Sequence, residues 1–154
     1  MKNRIVLLAL AFSLACTQRT PPPPAPTTTT SATSPRITFP DGFVVHVEVV
    51  ADDETRKQGL MFRDHLADDR GMIFFFPESG EYPFWMKDTL IPLSIAFYSA
   101  DGRILKILDM EPCDADPCPL YDPEVAYRGA LEVNQGAFAD WGISAGDRLR
   151  ITSP

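Results

Sequence analysis

Everything in this chain that can fold on its own lies after Arg36, and that boundary constrains the rest. Met1–Arg4 carries two positive charges, and Ile5–Ala15 (IVLLALAFSLA) follows as eleven residues that are apolar except for Ser13. A helix needs about 20 apolar residues to span a bilayer, so this run is too short for a stable anchor. A positive start and a short apolar stretch are the layout of a secretory signal peptide, here residues 1–15. Thr17–Arg36 (TQRTPPPPAPTTTTSATSPR) has no large apolar residue. It cannot bury enough surface to offset its ordering entropy. Pro21–Pro24 favours extended polyproline II, and the 20 residues reach at most about 60 Å. Residues 16–36 are therefore expected to be a disordered tether. Residues 37–154 remain, 118 in all, enough for a single globular domain with its own core.

The junction reads Ser13-Leu14-Ala15-Cys16 and resembles a bacterial lipobox, in which the cysteine is acylated. Such a motif usually has Leu three places before the Cys, where this chain has Ser13. Cysteine counting points the same way. Two of the three cysteines, Cys113 and Cys118, form a close pair in the domain and leave Cys16 over. A free thiol at the start of a tether is a liability in an oxidising compartment, and acylation removes it. Each buried CH₂ contributes ~0.8 kcal/mol, so several chains on one Cys make a durable anchor. The expected location is the cell envelope, lipid-anchored through Cys16 and facing the periplasm. A soluble periplasmic or secreted protein is the alternative.

All 21 acidic residues follow position 40, whereas Lys2, Arg4, Arg19 and Arg36 precede it. Ten of the 14 basic residues are left in the domain, giving it a net charge of −11. A field of that sign repels phosphates and anionic lipid heads, which excludes nucleic acid as a partner. The chain is expected to be a monomer.

Ile37–Phe39 and Phe43–Val50 are β-rich and flank the turn Pro40-Asp41-Gly42. Asp52 or Asp53 can cap a short helix starting near Glu54 and ending around Gly59 to Phe62. Gly71–Phe76 is a continuous apolar run ended by Pro77, as expected of a strand buried on both faces. Leu93–Tyr98 and Arg103–Leu108 flank Asp101-Gly102, a hairpin signal. Val125–Val133 reads as a further strand, Gln135–Trp141 as a short helix before Gly142, and Arg148–Thr152 as the last strand. The pattern is α+β with two short helices. Most links are too short for parallel crossovers, so the expected sheet is mostly antiparallel and strongly curved, or a partly open β-barrel.

Cys113 and Cys118 enclose four residues, which matches neither redox CxxC centres nor common zinc sites. In an exported protein a structural disulfide is expected. Closing six residues contributes roughly 2 kcal/mol in the chain-entropy model. His46 and His65 have no partner at ligand spacing, and no nucleophile–base pair, phosphate loop or dinucleotide fingerprint is present. No metal or cofactor is expected. The densest polar–aromatic segment is Phe84-Trp85-Met86-Lys87-Asp88-Thr89. Facing a cleft, Trp85 could stack on a ring while Lys87 and Asp88 hydrogen-bond it. Read plainly, it is a core strand followed by a turn in which Asp88 and Thr89 satisfy backbone N–H groups.

Gly59-Leu60-Met61-Phe62-Arg63, Gly71-Met72-Ile73-Phe74, Phe84-Trp85-Met86-Lys87 with Thr89, Pro92-Leu93, and Leu131-Glu132-Val133-Asn134 with Gly136 occur in this order, followed by Gly142-Ile143 and Gly146-Asp147. Together they resemble domain-of-unknown-function family 192, also called uncharacterised protein family 0127. The resemblance runs from about Val44 to Ile151. It implies a small α+β, barrel-like domain of bacteria and archaea, often behind a signal or lipid anchor, with no established activity. The family usually has Asn where this chain has Asp88, and Asp where it has Ser94.

Three functional classes follow. A non-catalytic binding module for a small ligand, a glycan or a protein partner fits the lack of catalytic sets, with Trp85, Lys87, Asp88, Thr89, Glu132 and Asn134 as candidate site residues. An envelope hydrolase would need acid–base residues such as Asp88, Glu132 or Lys87 to converge in a pocket. A structural or assembly protein would act through exposed strand edges. The binding module is favoured, and no catalytic residue is assigned.

Overall fold

The structure, a computed structural model, describes residues 35–152. The apolar leader, Cys16 and the tether up to residue 34 lie outside the described residues, as do residues 153 and 154.

The elements run β1 (Arg36–Thr38), β2 (Val44–Val50), α1 (Asp53–Gln58), β3 (Arg70–Gly80), β4 (Phe84–Trp85), β5 (Leu93–Tyr98), β6 (Ile104–Met110), β7 (Leu120–Tyr121), β8 (Tyr127–Asn134), α2 (Ala137–Asp140) and β9 (Arg150–Thr152). Seven strands form one sheet in the order β6-β5-β8-β3-β2-β1-β9, and β4 pairs with β7 in a separate two-stranded ribbon. Local turn chemistry explains two of the pairings. Gly42 (φ 90°) closes the β1–β2 turn by donating to the Phe39 carbonyl at 2.9 Å, and Gly102 (φ 78°) donates to Ser99 at 2.9 Å between β5 and β6. Both Gly positions are in the left-handed region, where other residues are strained.

The sheet is mostly antiparallel, as expected, but mixed, with one parallel pairing. β2 and β3 run parallel, with Val47 opposite Gly71 and Val49 opposite Ile73. Residues 51–69 make this crossover possible because they are long enough to carry α1 across. The expectation of a partly open barrel holds only in part. The two end strands of the sheet meet only near their ends, where Ile104 donates to Asp147, Gly146 to Ile104 and Leu149 to Gly102 at 2.8–2.9 Å. The sheet does not close as a barrel.

Pro77 does not end β3. The β3–β8 register breaks between Phe75 and Gly80, so the proline occupies an irregularity that needs no ladder N–H. Arg128 on β8 donates to the Phe76 carbonyl there.

Alternation along β3 divides the core. Ile73 joins Ile37, Val47, Leu131 and Phe138 of α2 on one face. Met72 and Phe74 point the other way, toward Leu60, Met86, Ile95, Phe97 and Tyr127. β5 lies between β6 and β8, and all six of its residues are buried. α1 is capped by Asp52, whose carboxylate accepts from the Thr55 amide at 2.9 Å and hydroxyl at 2.7 Å. Cys113 and Cys118 form a disulfide, a bond compatible with an extracellular location. Among the described residues, no helix is long and apolar enough to cross a membrane.

Candidate functional site

Glu132 sits toward the C-terminal end of β8, on the face turned toward Met72 and Phe74. It lies opposite Met72 on β3 and Ile95 on β5, so both flanking strands offer it hydrocarbon. The residue is only 5% exposed. Burial pushes its carboxyl up to about 8. A carboxylic acid in this setting keeps its proton at neutral pH.

Three segments distant in sequence enclose it. The end of α1 and the turn after it supply Arg56 through Met61, β4 supplies Phe84 and Trp85, and the β4–β5 link supplies Thr89. The space directly over Glu132 is about 30 Å³, room for one small polar group. A wider cleft of about 380 Å³ adjoins it, sharing Arg56, Lys57, Phe74, Phe84 and Trp85 and adding Asp53, Phe76, Tyr82 and Pro83. The cleft walls are aromatic. Phe76 stacks on Tyr82 with ring centroids 4.9 Å apart, and Phe74 meets Phe84 edge-on at 5.2 Å. Trp85 is 48% exposed at the mouth.

The cations along this wall differ in role. Arg56 lies over the Phe76 ring at 5.3 Å, donates to the Phe75 carbonyl at 2.8 Å and to Ala51, and pairs with Asp53. It is a strut holding α1 against β3. Lys57 is exposed and has no ion-pair partner among the described residues. The wall is tied together by the Phe62 amide, which donates to the Asp88 carbonyl at 2.8 Å. Phe62 (φ 63°) and Asp88 (φ 53°) are both left-handed, a conformation that costs a non-glycine residue of order 1 kcal/mol. That bond joins the turn after α1 to the β4–β5 link.

Of the six residues singled out from sequence, the structure brings Trp85, Thr89 and Glu132 to one place. Lys87 and Asp88 line neither part of the cleft. Lys87 reaches Asp116 of the disulfide loop at 3.3 Å and Asp88 at 3.8 Å. The left-handed turn at Asp88 and bridges from Lys87 and Thr89 to Cys113 carry this segment across that loop instead. Asn134 is also separate. Its side-chain amide donates to the Leu66 carbonyl at 2.9 Å and lines a shallow cavity with His65 and Asp68. Arg56, Lys57, Phe76 and Tyr82 were not identified from sequence. The Gly59–Arg63 motif was the available pointer, since it follows α1 directly.

Ser94 is 1% exposed; its hydroxyl donates to Asp109, opposite it on β6, and accepts from the Gly136 amide at 2.9 Å. A carboxylate thus still stands beside this position, supplied by the neighbouring strand.

The fold and the site define a small, mostly β domain with a mixed seven-stranded sheet and an aromatic cleft beside one buried carboxyl. A family model described as "Uncharacterized ACR" matches residues 36–151, and the chain belongs to that family, DUF192. No curated protein matches it. Among solved structures it is similar to a protein from Sinorhizobium meliloti 1021 described as a "putative transcription regulator". The two are 34% identical with a TM-score of 0.68, over 76% of this chain and 91% of that one. It is also similar to a protein of unknown function from Novosphingobium aromaticivorans DSM 12444. Here the identity is 32% and the TM-score 0.68, over 75% of this chain and 82% of that one.

Proposed function

We propose that this chain is a ligand-binding module of the bacterial cell envelope, tethered through acylated Cys16, which takes a small ligand into the cleft above Glu132. The observation that carries this reading is the cleft itself. A cavity of about 380 Å³ with aromatic walls lies beside a small space lined by two buried polar residues, Glu132 and Thr89. Small-molecule sites have this construction, with an apolar body for affinity and few polar groups for orientation. The half-exposed Trp85 supplies a flat surface for a ring.

The matching test is an NMR titration of ring-bearing small molecules into wild type and Trp85→Ala. Ligands that shift the Trp85 indole resonance are expected to bind roughly tenfold more weakly to the variant. Unchanged affinities would remove Trp85 from the site. The anchor has its own test, which is labelling cells with a palmitate analogue. Label on wild type and none on Cys16→Ser is expected, whereas an unlabelled protein that stays soluble after lysis contradicts acylation.

A hydrolase using Asp88 and Glu132 together draws support from Glu132 alone, because Asp88 is engaged with Lys87 away from the cleft. Direct contact with nucleic acid is not part of this reading, since the domain's net charge of −11 opposes it.

A further inference from the structure

Glu132 is 95% buried and lines a small space, and that arrangement constrains the ligand. We propose that the cleft recognises a primary amine, with its ammonium seated on the Glu132 carboxylate and its flat apolar body against Trp85 and Phe84. This rests on the cleft being a ligand site, and it names the class of ligand.

Two observations favour a cation over an anion or a neutral head. The space over Glu132, about 30 Å³, limits that head to a small polar group. The rings of Phe74, Phe84 and Trp85 line part of it, and aromatic faces attract cations and repel anions. The domain around it carries a net charge of −11, which concentrates cations at its surface. Thr89, 5% exposed, lines the same space and offers a hydroxyl oxygen as a second acceptor.

The charged groups facing Glu132 are Arg56 and Lys57 from α1. β3 and β5 present Met72 and Ile95, and the β4–β5 link presents Thr89. Arg56 is held by Phe75, Ala51 and Asp53, so only Lys57 opposes an incoming cation. In the absence of ligand the carboxyl holds its proton at neutral pH. Seating an ammonium ion replaces that proton, which leaves to solvent, and one ion pair forms. No bond of the ligand breaks.

The test uses the full chain with benzylamine, benzyl alcohol and benzoate as probes, followed by NMR titration between pH 6 and 8. Benzylamine is expected to bind and benzoate not to bind. Benzylamine affinity is expected to rise roughly 50-fold from pH 6 to pH 8 as Glu132 ionises, and benzyl alcohol affinity to stay flat. Glu132→Gln is expected to weaken benzylamine at least tenfold at pH 8 and to abolish its pH dependence. Lys57→Ala is expected to strengthen benzylamine about twofold.

Benzyl alcohol binding as tightly as benzylamine overturns the amine assignment, as does Glu132→Gln retaining wild-type affinity for benzylamine. If Trp85→Ala still weakens the alcohol in that case, the cleft survives as a site for neutral ligands. Loss of Trp85 dependence for every probe overturns both.

Discussion

Glu132→Gln is expected to stabilise the domain by roughly 5 kcal/mol at pH 9 and to leave it nearly unchanged at pH 4. In the unfolded chain a glutamate ionises near 4.3. In the folded protein burial holds Glu132 at about 8. Between these two values the folded state keeps a proton that the unfolded state has lost. Stability therefore falls as pH rises through this window, and the loss is complete above the folded value. Each pH unit costs about 1.4 kcal/mol, so the window of nearly four units is a large share of an ordinary domain's stability. Gln occupies the same space without a charge and removes the slope. Urea unfolding midpoints from pH 4 to pH 9 measure the difference directly, and parallel curves for the two proteins would contradict it. Such a slope would mark Glu132 as a position where stability is given up for something else. A ligand that supplies the missing partner accounts for it.

Gly129→Ala is expected to destabilise the domain by about 3 kcal/mol, near the top of the range for overpacking a core. Gly129 lies on β8 between Phe75 of β3 and Tyr98 of β5. A Cβ there would press into the Tyr98 ring and hydroxyl and stand 2.6 Å from the Phe74 carbonyl oxygen. Tyr98 is 3% exposed and cannot swing away, and its hydroxyl donates to that same carbonyl at 3.3 Å. The carbonyl is backbone in a central strand. In a domain of this size the loss corresponds to a melting temperature lower by roughly 10–15 °C. Gly80→Ala provides the contrast. Its added Cβ approaches the Tyr82 ring at 2.7 Å, but Tyr82 is 42% exposed and can shift toward solvent at the cost of its stacking on Phe76. Thermal melts should therefore separate the two variants widely. Similar small shifts for both would show that the β3–β8–β5 centre is looser than its packing implies.

What could be read in advance follows the range of the interactions involved. The β5–β6 hairpin was legible because Asp101 and Gly102 encode the turn within four residues. α1 was legible because Asp52 meets the Thr55 amide three residues on. The β2–β3 pairing was not, since its parallel direction depends on how residues 51–69 cross the sheet. Pro77 misled for a similar reason, because only the β8 partner shows that the ladder is already broken there. In the site, Glu132 and Trp85 stood out through their motifs, but their meeting is tertiary. Spacing in Phe84–Thr89 suggested one polar cluster, and a single left-handed residue, Asp88, divides it. Asn134 follows Glu132 by two residues on the same strand face, yet it is used to hold the loop carbonyl of Leu66.

The most direct measurement is a ¹³C NMR titration of the Glu132 side-chain carboxyl in the folded protein, assigned by its absence in Glu132→Gln. A midpoint near 8 is expected without ligand, moving down when benzylamine is added. A midpoint near 4, unchanged by benzylamine, would mean that Glu132 is solvated or already partnered, and the cleft would lose the group on which its function rests.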